Sequence, residues 1–146
     1  MRDLSQLQSL VHAYRDFAEC VVKSIEWLHY GTSVAITFDY TWKPDGRLRA
    51  DDEERLLVRL RFNLVQEFEI YNGLRNPMLI DDSVINWGFN EVSRVVVQDD
   101  ERSRKYSGFA VPMHHASLRR ESGAWIDIVF GELEITEAPD SSKART

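Results

Sequence analysis

Over the first seventeen residues, apolar side chains return at three- and four-residue steps: Leu4, Leu7, Val11 and Tyr14, flanked by Leu10 and Phe17. That spacing puts them on one face and predicts a helix over 3–17, packed on a sheet. Asp3 is suited to cap it, and Gln6 completes a capping box. The period then changes. Residues 20–30, CVVKSIEWLHY, are rich in β-branched and aromatic side chains, and Gly31-Thr32 separates them from 33–42. There Val34, Ile36, Phe38, Tyr40 and Trp42 alternate with Ser33, Ala35, Thr37, Asp39 and Thr41, which predicts a β-hairpin with one apolar face.

A Pro-Asp-Gly turn opens a charged, exposed connection over 43–54. Alternation resumes with Leu56, Val58, Leu60, Phe62 and Leu64 inward and Arg59, Arg61 and Asn63 facing water. Residues 67–71 form a neighbouring strand, pairing back through a tight turn at Val65 and Gln66. Residues 74–90 read as irregular, with a short strand at 78–80. A strand over 91–98 runs into the charged turn DDERSRK, and 106–120 is extended, with Pro112 favouring an edge or a break. In 124–136, Ile126, Ile128 and Phe130 share one parity and Leu133 and Ile135 the other, so a β-bulge at Gly131 would return both sets to the core.

These elements predict an α+β fold, an N-terminal helix packed on a curved, mainly antiparallel sheet or open barrel of about six to seven strands. A two-sheet sandwich is the alternative. One domain is expected over 1–137, followed by a flexible tail over 138–146.

The chain has 146 residues, enough for one core without a staple. Cys20 is its single cysteine, so no intramolecular disulfide and no thiolate-rich metal site is expected, and the reading is a reducing cytoplasm. The mixed charges of MRDLSQLQSLVHAYRDF argue against a signal peptide, and no stretch approaches the roughly 20 apolar residues of a membrane span. Eighteen basic against 24 acidic residues give a net charge of -6, which suits a basic protein partner better than a phosphate backbone.

His114 and His115 come first in a search for chemistry, with His12, His29, Asp81 and Asp82 as companions. Neighbours in a strand point to opposite faces, so the two histidines cannot chelate one ion without a bulge, and they read as surface or turn residues. Cys20, beside Val21 and Val22, reads as a small buried apolar group. No nucleophile elbow, phosphate loop or dinucleotide fingerprint occurs, so no catalytic residue, metal or cofactor is expected. Three acidic loops remain: Asp51, Asp52, Glu53 and Glu54; Asp81 and Asp82; Asp99, Asp100 and Glu101. Together they form a candidate negative face, with Trp87 as an aromatic anchor among them. Trp27, Trp42 and Trp125 read as core or sheet-rim residues.

The segments VVKSIEWLHYGTSVAITFDY and IDIVFGELEITE, in a small acidic α+β chain, resemble bacterial toxin-immunity proteins, including those of contact-dependent growth inhibition systems. The resemblance implies a cytoplasmic protein that neutralises a cognate toxin by occlusion, the partner being a basic domain such as a nuclease. It carries over no individual residue. On this reading those acidic residues and Trp87 contact the partner, with no direct nucleic-acid or membrane contact. The alternatives are a self-associating domain, as in a homodimer, and a small ligand-binding or hydrolase domain.

Overall fold

A computed structural model describes residues 2–50, 54, 56–71, 91–92, 94–120 and 123–139, the side chains of residues 91, 120, 123 and 124 excepted. Helix α1 (Leu4–His12) starts at the expected capping box: Asp3 accepts from the Gln6 amide at 2.8 Å, and Gln6 accepts from the Asp3 amide at 2.9 Å. It buries Leu7 and Val11. The helix is shorter than its periodicity suggests. After it the backbone enters the left-handed region at Arg15, Asp16 and Phe17 (φ 55°, 54° and 57°), in a single 3-10 turn. This turn drives Phe17 fully into the core, its ring 4.7 Å from that of Phe38.

Strands β1 (Cys20–Leu28) and β2 (Ser33–Tyr40) form the predicted hairpin, and Val34, Ile36, Phe38 and Tyr40 are buried as the alternation requires. They lie in a five-stranded antiparallel sheet with β3 (Leu56–Asn63), the two-residue β5 (Glu91–Val92) and β9 (Glu132–Pro139), in the order β5-β1-β2-β3-β9. A second antiparallel sheet has the order β4-β8-β7-β6, from β4 (Glu67–Ile70), β8 (Gly123–Phe130), β7 (His114–Arg120) and β6 (Arg94–Gln98). The α+β class, the N-terminal helix and the antiparallel pairing are as expected. The strands of the described residues number nine and fall in two sheets, the sandwich-like alternative, with one apolar cluster contributed by both. Helix α1 lies along the open side. Gln8 donates to the carbonyl of Val97 in β6, and Arg2 donates to that of Leu133 in β9.

The main departure from local reading is at β3 and β4, which do not pair with each other. Instead the ribbon made by β3 and β9 bends and continues in the other sheet as β4 and β8. The corner is formed by Leu64, left-handed at φ 57°, and Gly131, whose amide donates to the Asn63 carbonyl at 3.0 Å. A Cβ at Gly131 would sit 3.0 Å from Leu64 Cδ1 and 3.1 Å from Val111 Cγ1, which explains the glycine. The parity change there is real, since Ile126, Ile128, Phe130 and Leu133 are all buried, and a passage between sheets produces it. Leu64, expected inward, is 40% exposed at this corner.

Where a charged turn was expected, Glu101–Arg104 form a one-turn helix, α2, capped by Asp100. Strand β9 runs to Pro139, paired with Leu56, past the expected domain limit. Residues 140–146 and the strand expected at 78–80 lie outside the described residues.

Candidate functional site

The outer face of the second sheet is polar and nevertheless covered. Strand register aligns two rows across it: Glu67, Val129, His115 and Gln98, then Glu69, Asp127, Ser117 and Val96. Alternation makes this the face opposite Ile126, Ile128 and Leu118, which enter the apolar core. Over it lie α2 and the residues after it. His115, Ser117 and Asp127 are buried to 6%, 1% and 6% exposure, so their polar atoms need partners in the protein.

They have them. His115 Nδ1 lies 2.7 Å from Asp100 Oδ2, and His115 Nε2 lies 2.7 Å from Asp127 Oδ1. Ser117 Oγ donates to Asp127 Oδ1 at 2.5 Å. The other Asp127 oxygen is 3.3 Å from Arg102 Nη1. Arg102 also bonds Glu67 at 3.0 Å, Glu69 and the Tyr71 hydroxyl. Glu67 further accepts from Lys105 at 2.9 Å and from the Tyr106 hydroxyl at 2.5 Å.

The electrostatics follow from these contacts. Burial alone would raise the Glu67 carboxyl, but the hydrogen bonds from Tyr106, Lys105 and Arg102 overcome it and bring the pKa down to about 2. The Asp100 carboxyl is likewise held below its ordinary value, burial being outweighed by His115 and by the amides of the α2 cap. Burial pushes the Cys20 thiol up to about 11, in keeping with its apolar role.

Serine, histidine and aspartate occur together here without the connectivity of a nucleophilic site. In such a site the hydroxyl proton faces the imidazole base. Here Ser117 gives its proton to Asp127 and stands 3.4 Å from His115 Nε2, under a closed cover. The chemistry available is that of an ionic latch fastening the segment after β6 to the sheet. His114 and His115 do point to opposite faces, but neither is a surface or turn residue. His114 is 3% exposed, bonded to Asp99 at 2.8 Å and packed on Phe130. Among the described residues no group of three or more His, Cys, Asp or Glu side chains converges to hold a metal ion.

Of the predicted contact residues, Asp51, Asp52, Glu53, Asp81, Asp82 and Trp87 lie outside the described residues. Glu54 and Glu101 are exposed. Asp99 and Asp100 face the two histidines and act within the fold as well as at its surface. The local signal for the latch was Asp127, a carboxylate between Ile126 and Ile128 in an apolar strand, which demands a buried partner.

A second feature lies at the β1–β2 connection. Trp27, read as core or rim, is 55% exposed, with its ring 4.7 Å from that of Phe68. Tyr30, left-handed at φ 58°, is fully exposed. The turn is tied down by Thr32 Oγ1, which donates to the His29 carbonyl at 2.8 Å, and by His29 Nε2, 2.6 Å from Arg61. The half-exposed Glu26 adjoins it.

Among the described residues no helix is long and apolar enough to cross a membrane. No family model and no curated protein matches the chain. One solved structure, described as an uncharacterized protein from Neisseria gonorrhoeae, is similar to it at a TM-score of 0.47 and 8% identity, over 81% of this chain and 90% of that one.

Proposed function

We propose that this chain is a stoichiometric binding protein of the immunity type, which neutralises a cognate basic toxin domain by covering its active surface. The observation that carries this reading is the exposed aromatic turn. Tryptophan and tyrosine dominate binding hot spots, and Trp27 and Tyr30 stand out from a turn fixed on both sides by hydrogen bonds. A pre-ordered turn loses little conformational entropy on binding. The net charge of -6, with Glu26, Glu54 and Glu101 exposed, selects a cationic partner and speeds its approach. The polar latch serves the same end by holding the Asp99–Glu101 loop in one shape.

The test is co-expression with the C-terminal domain encoded by the neighbouring gene. Growth is arrested by that domain alone and restored by this chain, and the two proteins co-purify one to one. Trp27→Ala and Tyr30→Ala each weaken the complex by about tenfold or more. A neighbouring domain that is harmless, or whose toxicity this chain leaves untouched, overturns the proposal.

A further inference from the structure

At the end of α1, on the side where the chain leaves β2, there is a pocket of about 430 Å3, within the size range of small-molecule sites. Among the described residues three cations line it, Arg15, Lys43 and Arg49, with one carboxylate, Glu137, which bonds the Tyr14 hydroxyl. In a chain of net charge -6, the described lining is cationic on balance. The Arg49 guanidinium is anchored beside the pocket by Nη1, which donates to the Glu54 carbonyl at 3.1 Å, and its buried Nε has no hydrogen-bond partner among the described residues.

The walls are aromatic and fixed. Trp42 donates its indole N–H to the Ala18 carbonyl at 2.7 Å, and the Arg15 guanidinium lies 5.0 Å over its ring. Tyr14 and Tyr40 meet edge to face at 5.6 Å. Arg15 is brought there by the left-handed run that ends α1, a strained conformation that concentrates at ligand sites. We propose that this pocket binds a small organic anion, a carboxylate or phosphate monoester on a planar body, with Arg49 and Arg15 holding the anionic group and the aromatic walls the ring. It is independent of the toxin reading.

Calorimetric titration of the full chain with adenosine monophosphate, benzoate and adenosine tests it. One or both anions bind saturably at one site, adenosine does not, and the anion that binds shows which anionic group is preferred. Arg49→Gln weakens that binding by about tenfold, the worth of a charge-assisted hydrogen bond pair. Arg15→Gln, on an exposed side chain, weakens it too and asks the same question should Arg49→Gln unfold the protein. Absence of saturable binding by both anions overturns the proposal. So does adenosine binding as tightly as its monophosphate, or anion affinity unchanged by the arginine substitutions that fold.

Discussion

Arg102 is the cation on which three carboxylates depend, Glu67, Glu69 and Asp127, and its side chain is only 20% exposed. Replacing it with methionine keeps most of the volume and leaves those charges facing one another. Arg102→Met should cost about 2–3 kcal/mol, between the values for an exposed pair and a fully buried one because the site is partly wet. A urea-unfolding midpoint unchanged from the parent would count against the latch as a source of stability. Glu67 gives the pH dependence. Its folded pKa of about 2 lies below the ordinary 4.5, so the stability it supplies is complete above 4.5 and lost as pH falls toward 2. Denaturant midpoints measured through that interval should fall steeply for the parent and less steeply for Glu67→Gln. None of this could be read from neighbouring positions. Glu67, His115 and Asp127 come from separate strands that only sheet register brings into adjoining rows, and Asp100 reaches His115 from the cap of α2. The oddity of a carboxylate at 127 within an apolar run was legible; its partners were not.

The elements differ in how far they can be read locally. The cap of α1, the β1–β2 hairpin and β3 declare themselves because their determinants lie within a few residues, in the Asp3–Gln6 box and in strict alternation. The bend from β3 into β4 does not, because a leucine at 64 carries no turn signal and its left-handed backbone is imposed by the ribbon it belongs to. Gly131 was a visible interruption, yet a bulge and a passage between sheets produce the same parity change. The corner can be tested directly. Gly131→Ala should cost about 1 kcal/mol through crowding against Leu64 and Val111, and Leu64→Ala in the same chain should recover part of it by removing the Cδ1 contact. Strict additivity of the two changes in thermal unfolding would separate the residues energetically and refute the packing account.

At the scale of the whole molecule, charge and shape have different consequences. The excess of acidic residues is a long-range property, and association with the proposed basic partner should slow as salt is raised, because exposed charges are screened beyond about 8–10 Å at physiological ionic strength. Stopped-flow association rates for the parent and a Glu54→Lys/Glu101→Lys variant provide the measurement. The variant should associate more slowly at low salt and converge with the parent at high salt. Equal rates at low salt would remove these two loops from the encounter.

The bent ribbon also sets an order of events during synthesis. β3 receives its second neighbour only when β9 has been made, since Asn63 meets Glu132 and Leu56 meets Pro139. While the ribosome is still producing the middle of the chain, β1, β2 and β3 can assemble, but the outer edge of β3 stays unpaired. Pairings so distant in sequence form slowly, and an open strand edge invites other chains. Nascent chains halted after Gln98 should therefore be protease-sensitive or aggregate, and protection should arrive with β9. The residues of β9 thus act as a completion signal, leaving β3 dependent on a segment made long after it.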